Sequence, residues 1–383
     1  MQRPSKEAKA LKVIFTCGGT GGHINPALAV ARLLRERKPE CEILFVGGKN
    51  GMECQLVPKA GFQIRTLEPS SLQRSLTPKG IWHNVVGVYK NVHALQEAKR
   101  IILDFQPDVI VGTGGFASFP MLRQGTKMKI PTCVHESNAV PGLTTRMVAD
   151  KVDKILVSFS ESKAQYKRPE RVEVVGMPVS QEFLYTSKED ARRALHLDDR
   201  PLVVSAWGSL GAREMNKMIA GFMKLETKDD RFQHVHATGS FGWKWMPDYV
   251  KEQGVDLSKH PNVDMREYIY NMPTLMAAAD LIIGRAGAST LNEIAVSGTP
   301  CIIVPSPNVT DNHQEKNARV LADRGAAQMI LERDCSAERL FQEVNALLDN
   351  PARCRAMRRT LLDMAVVDSA ERIYRVILEL AAH

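Results

Sequence analysis

Short apolar runs recur along the 383-residue chain, separated by longer stretches in which apolar and charged positions alternate with helical spacing. The runs Leu11–Phe15, Glu42–Val46, Val109–Val111, Thr132–Val134, Ile155–Val157 and Val172–Val175 form a first series. A second holds Pro201–Ser205, His234–Ala237, Val263–Met265, Leu281–Ile283 and Cys301–Val304. Short buried strands alternating with amphipathic helices predict parallel sheets with helices on both faces. Two such series predict an α/β protein with two Rossmann-like, doubly wound domains facing across a cleft. The pattern breaks at Gly176-Met177-Pro178-Val179, and a charged segment follows from Lys188 to Arg200. This sets expected domains at 1–179 and 180–365. The closing segment 366–383 contains a helix from Ser369 to Ala381.

Composition narrows the class. With 44% hydrophobic and 25% charged residues the chain is globular, and its length favours two cores over one. No apolar run approaches the roughly 18 residues that span a bilayer. The first run is short and leads into a glycine loop, so a strand is expected there and not a signal peptide. Seven cysteines without a C-x-x-C pair argue for a reducing compartment and against a disulfide scaffold or zinc site. The net charge of +8 is uneven: residues 1–179 hold 26 basic and 15 acidic side chains, the remainder 25 and 28. A basic first half suits an anionic ligand or surface. No basic run interleaved with aromatics points to nucleic acid.

The chemistry is expected in loops at the carboxyl ends of strands, where ligands of open α/β sheets bind. Thr16-Cys17-Gly18-Gly19-Thr20-Gly21-Gly22-His23 joins the first strand to a helix read from Pro26 to Leu34. Its glycines allow close backbone approach, and the N–H groups of a helix start favour an anion. It is not a dinucleotide fingerprint, because G-x-G-x-x-G is absent and the second strand ends in Gly47-Gly48 instead of an acid. Gly112-Thr113-Gly114-Gly115-Phe116 offers further backbone donors. His135 and Glu136 read more readily as structural than as catalytic residues, while Asn138 can both donate to and accept from sugar hydroxyls. In the second half, Gly208-Ser209-Leu210-Gly211-Ala212-Arg213 opens a helix suited to phosphate. Glu293 fits the two hydroxyls of a ribose, although Thr290-x-x-Glu293 is also a capping box. His313 and Gln314 can reach sugar hydroxyls, or Asp311 and Asn312 simply cap the next helix. No D-x-D pair is present, so diphosphate charge would fall to helix ends, backbone N–H groups and arginine.

Taken in order, Gly18–His23, Gly112–Gly115, His135–Asn138, Gly208–Arg213, Arg285–Ala288 with Glu293, Asp311–Gln314 and Ala370–Arg372 closely resemble the MurG family of peptidoglycan glycosyltransferases. The resemblance covers nearly the whole chain. It implies a GT-B fold whose last helix returns to an N-terminal acceptor- and membrane-facing domain. It also implies inverting transfer of N-acetylglucosamine from UDP-N-acetylglucosamine to the C4 hydroxyl of lipid I (undecaprenyl-diphosphate-muramyl-pentapeptide), giving lipid II. By the same resemblance His23 is the candidate base, and Gly18, Gly19, Gly21, Gly22, Gly114 and Gly115 take the acceptor diphosphate. Glu293 holds the ribose, and the Ile269 backbone reads uracil with Tyr268 beside it. Ser209, Ala288 and Ser289 lie at the diphosphate and sugar. His313, Gln314, Asn138, Ser180, Thr20, Gly21 and Gly22 complete the donor contacts.

Four positions depart from the family pattern. Met177 and Ser180 stand where an asparagine and an arginine are usual, and Ser137 and Leu210 replace glutamines. No organic cofactor or metal is implied. The implied partners are both substrates, an anionic membrane surface and other cell-wall synthesis proteins, with a peripheral location on the cytoplasmic face of the bacterial cell membrane. For that surface the segment Pro78–Lys90 offers Ile81, Trp82, Val85, Val86 and Tyr89 on one helical face, with Arg74, Lys79 and Lys90 nearby. A core-facing helix would show the same stripe. Two other functions stay open at this stage: a related UDP-sugar-dependent lipid glycosyltransferase, and a nucleotide-sugar-binding protein without catalysis.

Overall fold

A computed structural model of the chain describes residues 10–68 and 78–382, with the side chains of 78–89 excepted. The chain divides into two compact units, 1–179 with 368–383, and 180–367.

The first unit contains a parallel sheet of β1 (Lys12–Thr16), β2 (Glu42–Gly48), β3 (Gln63–Leu67), β4 (Val109–Gly112), β5 (Thr132–Glu136), β6 (Lys154–Val157) and β7 (Val172–Val174). Their spatial order is β3-β2-β1-β4-β5-β6-β7. Val13, Ile14 and Phe15 are fully buried because helices cover both faces, which is why β1 reads as a continuous apolar run. Val13 and Phe15 face a core shared with Ile24, Ala27, Ala31 and Leu34 of the opening helix, Gly21–Arg37. Ile373, Tyr374, Val376, Ile377 and Leu380 of the last helix, Ser369–Ala381, complete that core. Each fully buried side chain of this size contributes roughly 1.5–3 kcal/mol of transfer free energy. Ile14 faces the opposite core, with Ile110, Met121 and Val134.

The second unit repeats the plan with β8 (Leu202–Ala206), β9 (Gln233–Ala237), β10 (Val263–Arg266), β11 (Leu281–Gly284), β12 (Cys301–Ile303) and β13 (Gln328–Met329). The order is β10-β9-β8-β11-β12-β13, all parallel. Its interior carries a buried polar relay. Ser205 Oγ lies 2.7 Å from both His234 Nε2 and His236 Nδ1, and His234 Nδ1–H donates to Glu226 at 2.9 Å.

Both sheets reverse their winding beside their first strand, at β1/β4 and at β8/β11. Such switch points open a crevice at the carboxyl ends of the strands. Two strands escape the apolar pattern. Gln63–Leu67 lies on a sheet edge with its middle residues largely exposed, and Gln328–Met329 is a two-residue edge strand. The charged stretch after Ser187 contains a helix, Lys188–Ala194, whose first turn is capped by the Ser187 hydroxyl. The opening helix starts at Gly21, five residues before the expected Pro26. Pro26, the sixth residue of this helix, lies inside it and forgoes the bond its N–H would have made to the Gly22 carbonyl. Ile81, Trp82, Val85 and Tyr89 fall within a helix spanning Pro78–Phe105, but their side chains lie outside the described residues, as does Arg74. Among the described residues no helix is long and apolar enough to cross a membrane.

Candidate functional site

In the first unit the loops after β1 and β4 interlock at the switch point. His23 sits in the first turn of the opening helix, half-buried. Its Nδ1 lies 3.0 Å from the Gly18 carbonyl oxygen. A carbonyl only accepts, so Nδ1 carries the proton and Nε2 is left as the basic nitrogen. Thr113 Oγ1 donates to the His23 carbonyl at 2.6 Å and fixes the turn. Gly114 packs against the ring: a Cβ there would stand 2.6 Å from His23 Cδ2. Gly115, at φ +85°, lies so close to the Gly18 carbonyl that a Cβ would collide with it. Thr20, Gly21 and Gly22 begin the same helix, whose N-terminus has no side-chain cap. Its first N–H groups are therefore available to an anion.

Beneath these loops lies a residue absent from the sequence reading. Glu53 is 1% exposed, and its carboxylate accepts from the Gly48 N–H at 2.7 Å and the Gly19 N–H at 3.2 Å. The Gly19 N–H is thus engaged, and Gly19 contributes open space instead: among the described residues nothing lies within 4 Å of where its Cβ would be. The cluster Gly47-Gly48-x-x-Gly51 ahead of Glu53 was the available signal, since a Cβ at Gly18, Gly47 or Gly51 would strike this carboxyl. Burial, reinforced by Glu53, pushes the Cys17 thiol up to about 12, so it remains protonated.

His135 and Glu136 are structural. His135 is buried, donates from Nε2 to the Gly176 carbonyl at 2.8 Å, and is held neutral by desolvation. Glu136 accepts from the backbone N–H groups of Asn138 and Gly142, the Asn138 side chain and the Thr145 hydroxyl. It thereby shapes the loop that presents Asn138.

In the second unit, Gly208 and Gly211 have positive φ, and Gly211 presses on the Thr238 carbonyl. The Ser209 and Leu210 carbonyls accept from Ser240 and Phe241, which ties the loop after β8 to the loop after β9. The Ser209 side chain remains exposed. The helix Ala288–Ser297 starts directly after Gly287, again without a side-chain cap, with Ala288 and Ser289 in its first turn. The capping-box alternative for Thr290 and Glu293 therefore fails, because Thr290 is the third helical residue and not the cap. Burial pushes the Glu293 carboxyl up to about 7.

Ile269 is buried between exposed Tyr268 and Tyr270, whose rings meet edge-on at 4.9 Å. Gln314 Oε1 accepts from the N–H groups of Ala286 and Ser306, coupling the loops after β11 and β12. His313 Nδ1–H donates to the Thr310 carbonyl at 2.9 Å, leaving Nε2 open. Asp311 and Asn312 both adopt left-handed φ, at 54° and 50°. The Asn312 side chain does not cap the helix; it donates to Glu315. Arg285 is held by Glu332 and the Val304 carbonyl. A recess of about 520 Å³ lies alongside, walled in part by Glu214, Pro305, Asn312 and Glu315. None of the predicted donor residues lines it, although Asn312 and Glu315 flank His313 and Gln314. Ser180 is exposed at the start of this unit, with its hydroxyl accepting weakly from the Glu182 N–H at 3.4 Å. Asn138, Thr20, Gly21 and Gly22 belong to the first unit, and the remaining donor candidates to the second.

Two doubly wound units of this kind, each with glycine loops at its switch point, define a GT-B glycosyltransferase fold. Residues 13–157 match the Glycosyltransferase family 28 N-terminal domain and residues 202–373 its C-terminal domain, and the chain belongs to this family. It is 38% identical over 371 residues to the UDP-N-acetylglucosamine--N-acetylmuramyl-(pentapeptide) pyrophosphoryl-undecaprenol N-acetylglucosamine transferase of Acetivibrio thermocellus, covering 97% of this chain and 98% of that one. The proteins of the same name from Thermoanaerobacter sp. and Lactococcus lactis are 40% and 37% identical, covering 96% and 97% of this chain and 99% and 100% of theirs. Among solved structures, Acinetobacter baumannii MurG superposes with a TM-score of 0.75 at 24% identity, covering 96% of this chain and 99% of that one. The calicheamicin glycosyltransferase CalG4 gives 0.67 at 14% identity, covering 97% and 99%, a likeness of fold alone.

Proposed function

We infer that the chain transfers N-acetylglucosamine from UDP-N-acetylglucosamine to the muramyl sugar of lipid I, forming lipid II for peptidoglycan. The observation that carries this reading is near-full-length identity of 37–40% to transferases bearing that name. A related UDP-sugar-dependent transferase for another lipid acceptor would not be supported by those relatives.

Chemically, the acceptor C4 oxygen attacks the anomeric carbon, the bond to the UDP oxygen breaks, and the configuration inverts. His23 Nε2, left basic by the Nδ1–H bond to Gly18, takes the proton from that hydroxyl. The uncapped start of the opening helix and the loop after β4 take the acceptor diphosphate. In the second unit, Glu293 accepts from the ribose hydroxyls and the Ile269 backbone reads uracil. The uncapped helix start at Ala288–Ser289 and the loop at Ser209 stabilise the leaving diphosphate. Gln314 and His313 face the sugar, with Asn138, Thr20 and Ser180 completing the donor contacts. A lipid acceptor requires the protein to visit the membrane, and we assign it a peripheral place on the cytoplasmic face, through Ile81, Trp82, Val85 and Tyr89. Other cell-wall enzymes are natural partners for the lipid product.

The test is UDP release from UDP-N-acetylglucosamine with and without a lipid I analogue. Acceptor-dependent release is expected, and UDP binding without release would defeat the assignment. His23→Ala should lower turnover far more than UDP affinity.

A further inference from the structure

At the switch point of the first unit, the glycine loops abut an apolar rim that the reaction above does not use. Phe116, Leu143 and Met147 are 58%, 56% and 49% exposed. Leu143 and Met147 stand one turn apart on the short helix Leu143–Val148, while Thr145 and Val148 point into the unit. Thr144, next to Leu143, donates its hydroxyl to the Gly115 carbonyl at 3.4 Å. That bond ties the helix carrying Leu143 and Met147 to the loop carrying Phe116, the residue after Gly115. Gly115 in turn rests against the Gly18 carbonyl, the acceptor of the His23 ring N–H. The rim therefore begins within a residue or two of the proposed diphosphate cradle. Clustered exposed apolar side chains beside a polar cradle mark a contact surface more than a solvated face.

We propose that Phe116, Leu143 and Met147 seat the first isoprene units of the acceptor lipid. The proposal rests on the reading that the glycine loops hold the acceptor diphosphate. The prenyl chain of such an acceptor is esterified to that diphosphate, so its first units must leave from the edge of the cradle. A flexible, branched hydrocarbon suits a surface made of an aromatic ring, a leucine and a methionine, whose unbranched thioether adapts to irregular shapes. The rim would make the enzyme sensitive to the presence and branching of the lipid near the phosphate. Recognition there would be separate from attachment to the bilayer.

The experiment uses the whole protein and three water-soluble acceptors sharing one muramyl-peptide diphosphate head. One carries a methyl ester, one a short prenyl chain, and one an unbranched alkyl chain of equal length. The wild type should show the lowest KM with the prenyl ester. The triple variant Phe116→Ser, Leu143→Ser, Met147→Gln should raise that KM by about tenfold, with kcat and the methyl-ester KM unchanged. An unchanged preference for the prenyl ester in the variant would overturn the proposal. So would a variant that loses only sedimentation with anionic phospholipid vesicles, since the rim would then be a membrane anchor. Gly115→Ala tests the underlying reading separately. It should raise KM for all three acceptors, and failure to do so with the methyl ester removes the diphosphate cradle itself.

Discussion

Glu53 holds the Gly19 N–H from below at 3.2 Å while its other oxygen holds the Gly48 N–H at 2.7 Å. One carboxylate thus staples the loop after β1 to the end of β2. A hydrogen bond to a charged group is worth about 1.5–3 kcal/mol, and water recovers part of that here because both donors are partly exposed. Glu53→Ala should therefore lower stability by a few kcal/mol at most and raise the acceptor KM, with UDP affinity unaltered. Chemical denaturation and donor titration check both halves, and a variant of wild-type stability would deny Glu53 this role.

Glu293 supplies a pH prediction. Its carboxyl is raised to about 7 by burial, with no charged partner among the described residues. Ribose hydroxyls donate to the ionised form, so UDP should bind more weakly as pH falls through about 7 and level off above it. Glu293→Gln should flatten the curve and weaken binding at high pH by about 1.5–3 kcal/mol, the range for hydrogen bonds to a charged group. Calorimetric titration across pH 5.5–8.5 (about 3 units, enough to bracket the shift) decides it. An identical slope in the variant would remove the ribose assignment.

Gly211 supports a test confined to the second unit. It has φ +79°, and a Cβ would meet the Thr238 carbonyl oxygen. Gly211→Ala should cost about 1–3 kcal/mol in backbone strain and loosen the Ser209 loop. A lower melting temperature with weaker UDP binding is expected, whereas Gly254→Ala, also at positive φ but with open space around it, should leave UDP binding intact.

The buried relay at Ser205 predicts acid lability. Burial first, and then the neighbouring His234, holds the His236 imidazole well below 6.5. Folded His236 is therefore neutral where the unfolded residue protonates. The unfolded state binds more protons below about pH 6.5, so stability falls as pH drops from there toward the folded value. Glu226, pushed up by burial, acts in the opposite direction over its own range. Replacing His236 isolates its share: His236→Gln should show a shallower loss of denaturant midpoint below pH 6.5. Parallel curves for the two proteins would refute this.

The sheet interiors were legible because β1, β4, β8 and β11 are buried on both faces and are apolar along most of their length, Ser205 of β8 being a buried exception. Gln63–Leu67 and Gln328–Met329 were not, because edge strands need no such run. The glycine loops were equally visible, since only glycine tolerates the approach of Gly115 to Gly18. Glu53 was hidden: its role depends on β2 lying beside β1, which brings its carboxylate to Gly19, 34 residues earlier in the chain. The capping box at Thr290 misled because the helix starts two residues earlier, at Ala288.

The last helix has a consequence for synthesis. Its five apolar side chains belong to the core built by the first strand and the first helix. That core therefore waits, unfinished, while the whole of residues 180–367 is translated. At roughly 5–20 residues per second the delay is on the order of ten to forty seconds. During it the exposed flank of the opening helix is a target for chaperones, and a chain cut short near residue 367 would release a first unit that can never close.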